Sequence, residues 1–583
     1  MNRDTATRPW PACRWITSDA DAIAVRRLAA DLAIPATLAR CLAARGVVSP
    51  QAAESFLHPR LANCLLPDAL PGVAQAAEVI GRHVAAGGLV VVFGDFDADG
   101  MMASAMLAEA VDAIGGRAAV FIPDRSTEGY GFTLPALERC LREHPAATLV
   151  ATVDCGISQP DSCDFAAACG VEVVITDHHA LTCPLPESAA AVVYPDHPAT
   201  PAALRHLCGA GVAFKIAHQL ARRHLDAEAG RGLVQRMLPM AAIATVADLV
   251  PLAGENRIVV SKGLEMIGSD GCGGNVGLHA LKMVSGLFGA ITARGIAFGI
   301  APRINASGRV GDPQTVLALL RTREHTEARR LAAALEDNNK ERRSQETSAV
   351  EQALAVVATQ AAEQKHAIVL FHEGWHQGVV GLVASRLVGV HGKPVIVATR
   401  GEEGLVRGSA RGPELPGVDI MKPLAACADL LLKYGGHRIA AGLTLREEDL
   451  PRFRAAFDAA CGEAFADVDF RRTLAIDDWL APDDVTDELE TALQLLEPCG
   501  MDNAEPLLGI RGLTLRSKPA CFGRARKDNW EMSFAEIPWR GLLFRREDFP
   551  FAAGNRLDVV FTFSRDNHGE LQIILKDAAQ ANG

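Results

Sequence analysis

The chain has 583 residues, enough for about three to four domains of roughly 150 residues each, so a single small module is excluded. Hydrophobic residues make up 49% and charged residues 22%, ordinary globular proportions that exclude a mostly disordered or collagen-like chain. A net charge of -12 excludes an overall basic nucleic-acid binder, so any polyanion site must be local, built from metal ions or clustered arginines.

The longest apolar stretches, such as LPMAAIATVA at 238–247, are well short of the ~20 residues of a membrane span. The opening MNRDTATRPWPACRW has no apolar run ahead of a small-residue cleavage site. Together these predict a soluble cytoplasmic protein with no membrane partner. The 14 cysteines include no C-x-x-C pair, and Cys140 and Cys427 lie in apolar helical runs. Buried free thiols are favoured over a disulfide framework or a structural zinc.

In chain order, residues 1–75 are Ala-rich and punctuated by Pro50, Pro59, Pro67 and Pro71, which predicts an irregular N-terminal helical layer. Over 76–312, the β-rich runs LVVVF, AAVFIP, TLVATVD and VEVVITD alternate with the helical patterns MMASAMLAEAVDAI, TLPALERCL and SCDFAAAC. Helical patterns follow at 211–225 and 233–247. The alternation predicts βαβ units and a mainly parallel sheet covered on both faces. Residues 313–364 contain no glycine and are rich in Ala, Leu, Glu and Arg, which predicts one or two long connector helices. A second, smaller α/β pattern occupies 365–465, with strands HAIVLF, PVIVATR and LVRGSAR and helices at 379–390, 419–433 and 448–465. From 466 to 583 the runs LLGIRGLTLR, WEMSFAEI, RLDVVFTF and ELQIILK predict a small antiparallel barrel or sandwich.

The chemistry begins at GDFDADG, residues 94–100, where Asp95, Asp97 and Asp99 follow the strand LVVVF. An EF-hand loop would need Glu at its twelfth position, which counted from Asp95 is Met106, and a helix rather than a strand before it. A phosphatase-type DxD nucleophile fits the short motif by itself. Asp154 ends a second strand, and Asp177, His178 and His179 end a third. Ligands of open α/β sheets bind at the carboxyl ends of strands, so these residues are expected on one rim. Asp248 follows an apolar helical run, where a charge is out of place unless paired or metal-bound. Converging carboxylates repel one another without cations. Oxygen ligands with a minority of imidazole suit Mg²⁺ or Mn²⁺ better than zinc, and this many ligands predict two divalent cations of the kind that hydrolyse phosphoesters. The bland reading is unconnected surface acids and core histidines.

GDFDADG, TVDCGI, ITDHHA and VADLVPL occur in the order and context of the DHH phosphoesterase superfamily, which this chain resembles. PRINASGR at 302–309, WHQGVVGLVASR at 375–386, GSAR at 408–411 and GGHRIAAG at 435–442 are similar to its RecJ branch and the attached DHH-associated domain. The resemblance covers about residues 70–583. It implies a DHH catalytic domain, a DHH-associated domain and a C-terminal OB-fold. It further implies that Asp97, Asp99, Asp154, His178 and Asp248 hold the ions, with Asp154 bridging and Asp95 a ligand or just behind the ligands. His179 would face the scissile phosphate, and Asp177 would orient the imidazoles. Arg125, otherwise a surface arginine, would clamp phosphate with Arg303, Ser409 and Arg411, and with His437 of GGH beside them. The family continues GSAR with Ser, whereas Gly412 stands here.

The span 511–546 holds nine Lys/Arg against three Asp/Glu, with Phe522, Trp530, Phe534 and Trp539 interleaved. Arg524, Arg526, Lys527 and Trp530 are therefore candidates for a single-strand platform, the alternative being that the aromatics fill the barrel core, as about half should. By resemblance the activity is 5′-to-3′ hydrolysis of single-stranded DNA to 5′-mononucleotides in recombination and repair, by a monomer, with a single-strand-binding protein and a helicase as partners. The alternatives are an oligonucleotide or cyclic-dinucleotide phosphodiesterase and a non-catalytic DNA-binding replication scaffold. Intact acids and histidines argue against the scaffold.

Overall fold

The computed structural model describes residues 13–124, 127–269, 271–360, 364–401, 404–523, 528–546, 548–566 and 568–581. They form two compact units, one mainly Thr17–Asp337 with Ile476–Lys576, the other mainly Asn338–Ala475.

The first unit is built on five parallel strands, β1 (Leu89–Phe93), β2 (Arg117–Phe121), β3 (Ala147–Thr152), β4 (Glu172–Thr176) and β5 (Ala191–Val193), in the order β2-β1-β3-β4-β5. Side chains alternate between faces along a strand, and both faces here are apolar. Val90 and Val92 enter one core with Met101, Met102 and Leu107, while Val91 and Phe93 enter a second with Phe121, Phe132 and Leu137. Helix α1 (Ala98–Ala113) is small and apolar on nearly every side, so it sits buried in the middle of the first core. Around it lie α2 (Gly209–His224), α3 (Ala227–Ala247) and α4 (Ala301–Val310). The three-residue edge strand β5 is too short for alternation to reveal from sequence.

The N-terminal part of this unit carries helices at Ala22–Leu32, Ala36–Ala44 and Pro50–Leu57. One buried arginine holds it to the rest of the unit. The Arg257 guanidinium donates to the carbonyls of Phe56, Leu495, Leu496, Glu497 and Pro498 and stacks 3.7 Å over the Phe56 ring. Burial pushes its pKa down to about 10. Lys215 and Glu255, paired at 2.6 Å in the interior, bind the backbone of Leu65 from both sides.

Helix α5 (His325–Gln360) starts in the first unit and ends in the second. The second unit carries β6 (Ile368–Phe371), α6 (Gln377–His391), β7 (Val395–Arg400), β8 (Leu405–Arg411), β9 (Lys433–His437) and β10 (Ala440–Arg446). Its mixed sheet runs β9-β10-β8-β7-β6. The helix expected over 419–433 is only Met421–Ala426 and a 3-10 turn. Residues 433–437 instead pair antiparallel with β10, because a hairpin partner just downstream supplies ladder bonds that local propensity cannot weigh.

The C-terminal sheet has seven strands, β11 (Asp478–Leu480), β12 (Leu508–Thr514), β13 (Ala520–Phe522), β14 (Asn529–Ser533), β15 (Arg540–Leu543), β16 (Arg556–Arg565) and β17 (Leu571–Gln580), ordered β11-β12-β16-β17-β15-β14-β13.

Candidate active site

The chain order of the parallel sheet reverses between β1 and β3, which opens a crevice at their carboxyl ends. Asp95, Asp97 and Asp99 enter it from the β1–α1 turn. Asp97 caps α1, its Oδ1 accepting from the amides of Asp99 at 2.9 Å and Gly100 at 3.1 Å. Gly100 is required for this tight turn, since a β-carbon there would lie 2.7 Å from the backbone of Asp95. The Asp99 carboxylate accepts from the amides of Gly209 at 2.7 Å and Ala210 at 2.8 Å, at the positive end of α2.

Asp154 follows β3 with φ 62, a left-handed conformation that Asp tolerates better than most residues, and its amide donates to Thr176 O at 3.0 Å. This turn aims the carboxylate into the crevice, where its Oδ1 lies 3.1 Å from His178 Nε2. A β-carbon at Gly209 would lie 2.6 Å from the Asp154 side chain, so glycine there makes room for the acid. The same imidazole nitrogen is 3.7 Å from Asp99 Oδ2 and 3.6 Å from Asp248 Oδ2. Asp248 caps the C-terminus of α3, a position whose helix dipole already repels a carboxylate and so favours a nearby cation.

Three groups of ligand atoms result, each within 4.8 Å: Asp95, Asp97 and Asp154; Asp99, His178 and Asp248; Asp154, His178 and His179. Asp154 belongs to two of them. Burial, then the charges of Asp99, Asp97 and Asp95, hold the Asp154 carboxyl well above its ordinary pKa, and burial with Asp99 raises Asp97. Asp248 is pushed up to about 8 by burial and by Asp99 and Asp97. Burial lowers His178, against the pull of Asp99. Asp154 Oδ1 and His178 Nε2 are buried yet make no hydrogen bond. Buried polar atoms facing acids whose mutual repulsion lacks a counter-charge fit hard divalent cations such as Mg²⁺ or Mn²⁺.

His179 points differently. Its Nδ1 lies 2.8 Å from Asp177 Oδ1, and its Nε2 lies 3.1 Å from the Tyr130 hydroxyl. Burial opposes its charged form, but the Asp177 hydrogen bond and charge, then Asp248 and Asp95, outweigh burial and push it up to about 9. Asp177 is anchored by the amides of Ile157, His178 and His179. Sequence reasoning did not single out Tyr130 or Asn305, whose Oδ1 accepts from the Ala98 amide at 2.7 Å. Both lay inside recognisable motifs, EGYG and PRINASGR, and Tyr130 is one of only three tyrosines in the chain.

Arg125 lies outside the described residues, as do Arg524, Arg526 and Lys527. The Arg303 guanidinium donates to the carbonyls of Gly299 and Val284 and pairs with Glu336 at 2.6 Å, contacts that brace α4. Ser409 and Arg411 project from one side of β8 against α6, where a β-carbon at Gly381 would lie 2.9 Å from an Arg411 guanidinium nitrogen and 3.1 Å from Ser409 Oγ. His437 is exposed at the end of β9. A side chain at Gly412 would meet Ile420 at 2.7 Å, which accounts locally for glycine where the family has serine. On the C-terminal sheet, Phe534 is fully buried, and the Trp530 and Trp539 indoles donate to the carbonyls of Arg546 and Val485. Trp530 also packs 6.0 Å from Phe549 and is half-buried. The open aromatic surface is instead Phe522 with Phe544, 37% and 45% exposed and edge-to-face at 6.1 Å.

Acids and histidines from four elements around the switch point of a parallel sheet define a metal-dependent phosphoesterase of the DHH class. Residues 89–245 match the DHH family, N-terminal domain, 364–463 match the DHHA1 domain and 476–577 match the RecJ OB domain. The chain is 32% identical over 575 residues to the single-stranded-DNA-specific exonuclease RecJ of Bacillus subtilis, covering 97% of this chain and 71% of that protein. It is 34% identical over 507 residues to the protein of the same name from Dickeya dadantii, covering 83% and 85%. The crystal structure of RecJ in complex with Mn²⁺ from Thermus thermophilus matches with a TM-score of 0.82 at 30% identity, covering 98% of this chain and 80% of that one. The Mg²⁺ complex from the same organism matches with a TM-score of 0.77. The chain belongs to the RecJ family.

Proposed function

We propose that this protein is a single-stranded-DNA-specific exonuclease that works from the 5′ end, releases 5′-mononucleotides by phosphodiester hydrolysis, and serves DNA recombination and repair. The observation that carries the reading is the set of adjoining ligand groups, two of which contain Asp154 and two His178, an arrangement with room for two divalent cations. One site would take Asp95, Asp97 and Asp154, and the other Asp99, His178 and Asp248, with Asp154 Oδ1 3.1 Å from His178 Nε2 where the two adjoin. When bound, Mg²⁺ or Mn²⁺ supplies an acidified water and neutralises phosphate charge. The chain does the rest. Asp177 fixes the His179 ring, and Tyr130 holds its far nitrogen until a phosphate oxygen or leaving oxygen takes that place.

Ser409, Arg411 and His437, with Arg125, bind phosphate on this reading, since guanidinium and hydroxyl groups suit phosphate oxygens. Phe522 and Phe544 supply ring faces on which bases of a longer strand stack, and the cations Arg524, Arg526 and Lys527 attract its phosphates. The protein acts as a cytoplasmic monomer, with a single-strand-binding protein and a helicase as its partners. The domains run 76–312 for catalysis, 365–465 for the DHH-associated domain and 466–583 for the OB domain, with 1–75 a helical layer and 313–364 the connector. The test is digestion of single- and double-stranded DNA labelled at either end with Mn²⁺ or Mg²⁺, products resolved by length. Mononucleotides released first from the 5′ end of single strands alone are the expected result. Internal cuts, or equal digestion of duplex, would overturn it.

A further inference from the structure

Directly after Asp248 stands a residue that neither packing nor backbone preference accounts for. Leu249 has φ 57, the left-handed conformation in which a helix usually ends on glycine, and a leucine there pays a steric penalty that glycine would avoid. Its side chain gains nothing from the core in return, being 61% exposed. The position is not loose. The Leu249 amide donates to Val246 O, and three residues on, buried Leu252 donates its amide to Met501 O at 2.9 Å. A large apolar side chain is thus held in strained backbone, in water, one residue from the Asp248 carboxylate that faces His178. Strain of this kind at a site rim points to a ligand contact. Tyr130, 50% exposed, adds a second apolar surface at the site, its hydroxyl meeting His179.

We propose that Leu249 is the apolar seat for the nucleobase of the nucleotide whose phosphate lies at the metal cluster, with the Tyr130 ring bordering the same subsite. This rests on the exonuclease reading above. An enzyme that removes every nucleotide in turn needs a contact blind to base identity. Aliphatic carbon against a base face provides one, because every base offers an apolar ring face and leucine has no hydrogen-bonding group with which to choose among them. Seating the base would also fix the sugar and thereby align the scissile phosphate.

The test compares two single strands, identical except that in one the terminal nucleoside at the attacked end lacks its base. Initial release of that terminal residue is measured in Mn²⁺ for wild type, Leu249→Gly and Leu249→Met. Wild type should favour the intact terminus by about tenfold in kcat/KM, Leu249→Gly by only about twofold, and Leu249→Met should recover most of the difference. The thermal midpoint of Leu249→Gly should equal or exceed that of wild type, since glycine adopts this conformation freely, and Mn²⁺ uptake should be unchanged. Equal base discrimination by wild type and Leu249→Gly overturns the proposal, as does a wild type that does not discriminate. Loss of Mn²⁺ uptake in Leu249→Gly with discrimination intact would show a purely structural role and also overturn it. If wild type cleaves neither strand, the exonuclease reading fails, and the base seat with it.

Discussion

Oδ1 of Asp177 lies 2.8 Å from Nδ1 of His179, while the same carboxylate accepts the amides of His178, His179 and Ile157, so one buried acid sets both the backbone and the ring of the histidine pair. Asp177→Asn keeps the shape but replaces a charged acceptor with an amide. Turnover should fall by about 10- to 100-fold, with metal content near that of wild type. Single-turnover kinetics alongside metal analysis check this, and an equal loss of both would assign Asp177 to the metals.

Asp154→Ala should abolish hydrolysis, by at least ~10³-fold, while leaving the fold and single-strand binding largely intact, because the carboxylate serves the ligand groups and not the core. Circular dichroism, strand binding and turnover at saturating Mg²⁺ together test it. Near-native turnover would end the two-site assignment. His178→Ala should lose metal, and His179→Ala should lose turnover with metal retained.

The raised carboxyl groups make a signed prediction about pH. Asp154, Asp97 and Asp248 have folded pKa values above their ordinary value of 3.8, Asp248 at about 8, with burial and neighbouring acids the causes. The folded, metal-free protein therefore holds protons that the unfolded chain releases. The stabilising contribution of these protons is complete below about pH 4 and is lost as pH rises through the folded values, about 8 for Asp248. Cations replace those protons, so Mn²⁺ should raise the thermal midpoint by more at about pH 8 than at about pH 6. Thermal scans with Mn²⁺ and with chelator at both pH values measure the difference, and a larger gain at the lower pH would contradict it.

Removing the exposed aromatic pair, Phe522→Ala with Phe544→Ala, should weaken binding of a long strand by about tenfold or more, with little change in cleavage of a very short one. Neutralising Arg524, Arg526 and Lys527 together should flatten the salt dependence of binding by roughly 0.7 in log-log slope for each phosphate that is no longer paired with a cation. Affinity for a non-hydrolysable strand in Ca²⁺ across a salt series reads both effects. An unchanged slope would remove these cations from the DNA path.

Arg257→Met should destabilise the first unit by about 3 kcal/mol, because the carbonyls of Phe56, Leu495, Leu496, Glu497 and Pro498 would be left without their buried donor. Faster amide exchange over 495–503 is the accompanying signal.

The sequence by itself determined the parallel sheet, the strand-end acids and the long connector helix. Each rests on a local signal: β-branched runs, Asp and His just past them, and a glycine-free stretch ending in α5. Even the cap by Asp97 is local, since it bonds amides two and three residues away. Tertiary structure alone decided what depends on residues far apart in the chain. Asp99 is seated by Gly209, 110 residues on, and Arg303 is paired with Glu336 and with backbone carbonyls. Trp530 turns its indole to the Arg546 carbonyl and leaves the open ring faces to Phe522 and Phe544. Tyr130 reaches His179 only because two loops meet at the switch point of the sheet. The strain at Leu249 is likewise a matter of φ and exposure. Spacing and composition report which groups a segment carries. Which of them are satisfied by neighbours, and so unavailable to a ligand, is settled only when distant segments pack.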